Sequence, residues 1–367
     1  MKDASSTDVI VHRGVALTSF YQCGDLYRVD PYTADMLGKE TWNGHFPSDW
    51  GVSAHSKVDT KTGELLFFNY SKHEPYMRYG VVDGHNDLAH YVDVPLPGPR
   101  LPHDMAFTEN YVVLNDFPLF WDPELLKRDA HVARFHPDMP SRFAVLPRRG
   151  QSTDIRWFEA EPTFVLHFVN AYEDGDEIVL DGFFQSDPEP ADNGTGTRWQ
   201  RAYRFLALDR MQARLHRWRL NLVTGAVKEE QRSDAITEFG TINADYVTHN
   251  YRYSYAATGK PGWFLFDGLV KHDLGSGSEE RYPFGDGVYG SETAMAPRLG
   301  ATGEDDGYLV TLTTDMGAAA SYCLIFDASR LADGPLCKLQ LPERISSGTH
   351  STWVSGEQLR RWDRVAG

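Results

Sequence analysis

Four histidines sit in short settings suited to metal ligation. They are His55 in Ser-Ala-His-Ser-Lys-Val-Asp, His103 in Leu-Pro-His-Asp-Met-Ala-Phe, His167 in Leu-His-Phe-Val-Asn-Ala-Tyr and His350 in Ser-Gly-Thr-His-Ser-Thr-Trp. Four neutral imidazoles converging on one point make a metal site, and imidazole suits iron, copper, zinc and nickel. Such a shell adds no negative charge, so a divalent ion keeps its full positive charge and can offer an open position to dioxygen. Taken alone, His103 after Leu101-Pro102 reads as an ordinary loop histidine; the four motifs together read as ligands. The other ten of the 14 histidines, His12, His73, His85, His136 and His249 among them, lack such settings and read as surface or structural.

The elements that must position these side chains are strands. Each histidine lies in or beside a segment with β character. Short runs rich in β-branched and aromatic residues fall at 64–70, 111–115, 163–169, 177–180, 263–266, 308–312 and 322–326. Turn signals such as Lys61-Thr62-Gly63 and Glu173-Asp174-Gly175-Asp176 separate them, and helical periodicity is nearly absent. Short strands over this length predict an all-β sandwich array, barrel or propeller. Nine tryptophans and 18 tyrosines suit broad sheet faces.

Composition narrows the function. The chain has 367 residues and a formal net charge of −16, so a polyanion such as nucleic acid would be repelled. Three cysteines, Cys23, Cys323 and Cys337, form no Cys-x-x-Cys pair and predict free thiols in a reducing compartment. The first residues, Met1 to Thr7, lack an apolar signal region, which predicts a cytoplasmic protein. Gly285-Asp286-Gly287-Val288-Tyr289-Gly290 fits the spacing of a dinucleotide loop, but Pro297 soon follows and no helix is predicted after it. No serine sits in a Gly-x-Ser-x-Gly elbow. Asn193-Gly194-Thr195 matches a glycosylation acceptor, which means nothing without secretion.

At the histidine motifs the chain resembles the carotenoid cleavage oxygenases, a family that includes lignostilbene dioxygenases. The resemblance runs from about Val9 to Val354. It is carried by Ala54-His55 through Thr62-Gly63-Glu64-Leu65, by His103-Asp104 through Glu109-Asn110-Tyr111, and by Val169-Asn170-Ala171-Tyr172-Glu173. The histidine gaps also agree: 103 − 55 = 48, 167 − 103 = 64 and 350 − 167 = 183. The resemblance implies a seven-bladed β-propeller, here one domain over 1–367, with Fe(II) held by His55, His103, His167 and His350. It also implies glutamates behind three of the histidines, with Glu238 behind His167 and Glu292 behind His350. A carboxylate accepting the far ring N–H fixes the tautomer and raises ligand basicity.

Two departures stand out. The glutamate expected behind His103 falls at Gln22, which accepts a hydrogen bond but carries no charge. The chain also begins near the family's second blade, so it reads as N-terminally incomplete relative to the family. An unclosed propeller would expose a sheet edge.

The resemblance implies oxidative cleavage of a C=C bond by dioxygen into two carbonyl products, with no side chain acting as nucleophile. The substrate is a small apolar molecule held by burial. Phe117, Leu119, Phe120 and Trp121 read either as core or as the wall and mouth of a substrate tunnel, which would permit peripheral contact with a membrane. Stilbene-cleaving relatives place a lysine where this chain has Tyr21, which shifts the expected substrate towards a carotenoid or apocarotenoid. A stilbene-cleaving enzyme is one alternative. A degenerate, non-catalytic propeller that binds apolar ligands is another. A zinc hydrolase fits less well, because hydrolytic sites usually pair three ligands with an open water position.

Overall fold

A tight hairpin at Arg13-Gly14 begins the pattern that dominates the chain. Both residues have positive φ, +54° and +82°, and His12 pairs with Val15 across the two-residue loop. Such loops match the right-handed twist of the strands they join. The structure is a computed structural model and describes residues 5–128, 132–188, 212–259, 265–346 and 348–363. It is nearly all β, with short helices at Pro123–Leu126 and Gly356–Asp363. Among the described residues no helix is long and apolar enough to cross a membrane. The glycosylation match at Asn193 and part of the predicted 263–266 strand lie outside the described residues.

The chain divides into two compact units. The first comprises Met1–Asn115, Ala144–Trp157 and Thr349–Gly367. In it Asp8–His12, Val15–Ser19, Tyr27–Val29 and Met36–Lys39 form an antiparallel sheet in sequence order. Lys57–Asp59, Glu64–Tyr70, Tyr76–Val82 and Leu88–Pro95 form another. Six consecutive residues of Glu64–Tyr70 are buried, so both faces of this strand are covered. Val15, Leu17, Leu26, Trp42, Val52, Leu65, Phe67 and Val82 make one cluster drawn from both sheets. The Phe67 ring abuts Gly80, where a Cβ would come within 2.3 Å of it. Burying such side chains contributes roughly 1.5–3 kcal/mol each.

The second unit comprises Asp116–Phe143 and Phe158–Gly348. Phe168–Asp174, Glu177–Phe184, Arg214–Asn221 and Val227–Gln231 form a four-stranded antiparallel meander. A larger sheet runs through Thr237–Thr241, Tyr253–Gly259, Phe266–Asp273, Val288–Pro297, Gly307–Asp315, Ala320–Asp327 and Pro335–Gln340, and Ser278–Pro283 also pairs with Phe266–Asp273. Asp181 ties strands together at depth. It accepts two hydrogen bonds from Arg217, both 2.8 Å, and one of 2.6 Å from the Tyr251 hydroxyl.

Several strands run longer than predicted, such as Gly307–Asp315 for 308–312. One differs in kind. The predicted strand at 163–169 begins only at Phe168, and a register shift follows between Phe168 and Asn170. Thr163 instead exchanges hydrogen bonds with Ser141 and Gln185, so its polar groups are satisfied without a ladder. The Gly285–Gly290 motif leads into the strand Val288–Pro297, not into a helix.

Candidate metal centre

Three of the four histidines gather within the first unit. His55 and His103 present their Nε2 atoms to each other at 3.2 Å. The His55 ring lies 4.8 Å from that of His103 and 4.6 Å from that of His350, centroid to centroid. None of the three is in a strand: His55 and His103 lie two and three residues before one, and His350 lies between the strand Pro335–Gln340 and the helix Gly356–Asp363. Their positions are therefore fixed by side-chain contacts and not by a ladder.

His55 is buried and has φ +61°, a left-handed backbone that a non-glycine residue adopts at a cost. Its backbone N–H donates to Asp8 Oδ2 at 3.2 Å, and its ring Nδ1 lies 3.3 Å from the same oxygen. Asp8 opens the strand Asp8–His12. Burial raises the Asp8 carboxyl, but the hydrogen bond and charge of His55 outweigh it and hold the group below the usual carboxylate range. One ligand atom each of Asp8, His55 and His350 lie within 4.8 Å of one another. The segment before His350 is pinned by Thr349, whose hydroxyl donates to the Thr7 carbonyl at 3.2 Å.

The segment carrying His103 is held through its neighbour. Asp104 is buried, bonds Lys57 Nζ at 2.7 Å and accepts from the Met105 N–H at 2.7 Å. Its carbonyl accepts from the Asn115 amide, also at 2.7 Å. Lys57 stands two residues after His55, so one lysine couples two histidine motifs. Burial, then the neighbouring His55 and His350, push the His103 imidazole well below its usual pKa. A neutral imidazole is the form that ligates a metal.

The fourth histidine belongs to the second unit. His167 is buried just before the strand Phe168–Asp174, and its Nδ1 lies 2.6 Å from Glu238 Oε2. The same oxygen accepts from the Phe239 N–H at 2.9 Å, and the Phe239 ring stacks on His167 with centroids 5.0 Å apart. Glu238 sits where the ladder slips between Glu238 and Thr241. Bulges of this kind re-aim side chains and cluster next to active sites. Gly240 is required there, because a Cβ would meet Val169 at 2.6 Å. Glu292 occupies a similar slip, between Gly290 and Thr293, and is half-buried.

Gln22 donates its amide N–H to the Tyr21 hydroxyl at 2.9 Å, and the Tyr21 ring lies 6.0 Å from that of His103. Phe117, Leu119, Phe120 and Trp121 are all buried. Phe117 meets Phe143 and Phe164 edge-on, and Phe120 stacks on His136 at 4.3 Å. Sequence reasoning missed Asp8, Lys57 and Asn115. The first lies 47 residues from the histidine it touches, with no motif around it.

The donor set fits a divalent metal. Ligand nitrogens at about 2.0–2.1 Å from an ion, about 90–110° apart, stand about 2.8–3.4 Å from each other. The 3.2 Å separation of His55 and His103 falls inside that range. Carboxylates lie at Nδ1 of His55 and of His167, the arrangement that orients Nε2 of an imidazole towards a metal.

A family model described as "Retinal pigment epithelial membrane protein" matches residues 1–355. The chain is 32% identical over 347 residues to carotenoid 9,10(9',10')-cleavage dioxygenase 1 of Pisum sativum, covering 90% of this chain and 62% of that protein. It is 28% identical to isoeugenol monooxygenase of Pseudomonas nitroreducens, over 96% of this chain and 75% of that one. Among solved structures, lignostilbene dioxygenase of Pseudomonas brassicacearum superposes with a TM-score of 0.84 at 28% identity, over 96% of this chain and 75% of that chain. The chain thus spans about three fifths of the plant dioxygenase and three quarters of the bacterial enzymes.

Proposed function

Because this chain belongs to the carotenoid cleavage oxygenase family, we propose that it is a non-haem Fe(II) dioxygenase that cleaves a C=C bond of a carotenoid or apocarotenoid. One alkene and one dioxygen yield two carbonyl products, so atoms balance without a further reductant. His55, His103, His167 and His350 would hold the iron, with Glu238 and Glu292 behind His167 and His350. The antiparallel meanders are then blades of a seven-bladed propeller. The observation that carries the reading is the gathering of three imidazoles in the first unit, with His55 and His103 Nε2 atoms at metal-ligand spacing.

A ferrous ion held there would supply the reaction with dioxygen. The chain's own residues do the rest. Glu238 holds the Nδ1 proton of His167 and stacks its ring through Phe239, so the imidazole cannot turn. Lys57 and Asp104 fix the His103 segment against the strand that follows His55. The substrate, with few polar groups, would be held by burial and dispersion. Phe117, Leu119, Phe120 and Trp121 would contribute as the packed wall behind such a tunnel, being buried themselves.

The preference for an apocarotenoid rests on Tyr21 at the position where stilbene-cleaving relatives resemble one another in a lysine. The likeness to lignostilbene dioxygenase keeps stilbene cleavage as the second reading. The test is incubation of the anaerobically iron-loaded protein with a panel of carotenoids, apocarotenoids and stilbenes, with product masses read out. Aldehydes from an apocarotenoid are expected. Stilbene-derived aldehydes alone would favour the second reading, and iron uptake with no cleavage of any substrate would mark a non-catalytic binder.

A further inference from the structure

We infer that Asp8 is a positioning residue of the metal centre, clamping His55 through both its ring and its backbone. This rests on the metal-binding reading above but on different residues. A single carboxylate oxygen, Oδ2, lies 3.3 Å from the His55 ring Nδ1 and 3.2 Å from the His55 backbone N–H. The other oxygen, Oδ1, accepts from the Val9 N–H at 2.7 Å, which orients the carboxylate on the strand Asp8–His12. Each carboxylate oxygen thus has a hydrogen-bond donor, and this favours an orienting role over direct metal ligation. The backbone bond also holds His55 at its left-handed φ of +61°. With the ring proton held on Nδ1, His55 Nε2 is left bare and facing His103 Nε2.

The consequence is a redistribution of charge. Position 22 carries an uncharged glutamine, whose amide is engaged with Tyr21. The carboxylate absent there is supplied at position 8, to a different histidine. Asp8 thereby places a carboxylate beside the imidazole of His55.

The test uses Asp8→Ala and Asp8→Asn, the second nearly isosteric with the parent. In metal-free protein with ¹⁵N-labelled histidine, NMR should report His55 protonated at Nδ1 in the parent, with that preference lost in Asp8→Ala. Co(II) affinity, measured by competition with a chelator, should fall about 10–100-fold in Asp8→Ala and less in Asp8→Asn. An unchanged tautomer in both variants would overturn the inference whether or not metal binds. Failure of the parent to bind Co(II), with the tautomer shift still present, would remove the metal reading and leave the clamp. A changed visible spectrum of the Co(II) protein in Asp8→Asn without a tautomer shift would make Asp8 a direct ligand and overturn the positioning role.

Discussion

Glu238 Oε2 stands 2.6 Å from the Nδ1 of His167, and both side chains are buried. They stand 71 positions apart in the chain, so the pair is a product of the fold. Removing the charge while keeping the shape tests what the contact does. Glu238→Gln should lower iron affinity about 10–100-fold, because the ring would lose the acceptor that fixes its tautomer and raises its basicity. Metal titration under anaerobic conditions checks this. Unchanged affinity would mean that His167 is held by packing on Phe239 alone.

Lys57 and Asp104 join the His55 and His103 motifs by a contact of 2.7 Å. Asp104 is buried, so Lys57→Met leaves a carboxylate short of its countercharge. We expect a stability loss of about 3–5 kcal/mol by urea denaturation, the usual range for removing one partner of a buried pair. We also expect weaker metal binding in the folded protein. Asp104→Asn in the Lys57→Met background should recover part of the stability.

The Arg217–Asp181–Tyr251 network gives a comparison that involves none of the four histidines. Asp181 is 1% exposed and accepts all three hydrogen bonds. Arg217→Ala should cost about 3–5 kcal/mol, and Tyr251→Phe about 1–3 kcal/mol. Differential denaturant unfolding separates the two. Equal, small losses would show that the network is screened.

His12 makes the fold sensitive to acid. It is 3% exposed, and burial lowers its pKa from 6.5 to about 4, while Nε2 donates to the Gly63 carbonyl at 3.0 Å. In the unfolded chain the imidazole takes a proton below pH 6.5, whereas the folded protein resists protonation down to about pH 4. Stability is therefore full above pH 6.5 and falls as pH drops from 6.5 to 4. The total loss is about 3 kcal/mol. His12→Gln keeps a donor without the titration, so its stability should fall less over the same window. Parallel pH profiles for the two proteins would contradict this.

How much was legible in the sequence depended on whether the signal was local. The strand Glu64–Tyr70 was readable because its apolar run is continuous and its flanks carry turn residues. The residues at 163–167 also hold a continuous apolar run, Phe164 to Leu166, yet they lie in no strand. The hydrogen bonds of Thr163 go to Ser141 and Gln185, partners that no local pattern reveals. The histidine motifs stood out because each is a short run around one residue. The Glu238 assignment came through resemblance alone. Asp8 had no motif and no resemblance to mark it, and it became visible only when the hairpin at Arg13-Gly14 and its sheet were built. Gln22 donates its amide N–H to Tyr21, a neighbour in sequence, a contact that no motif marks.

The central claim is one Fe(II) on four imidazoles, and metal content tests it most directly. Anaerobically reconstituted parent protein should hold about one iron per chain. The His167→Ala, His350→Ala double variant, still folded by circular dichroism, should hold almost none. Iron retained at the parental level in the double variant, or none in the parent, would contradict the account.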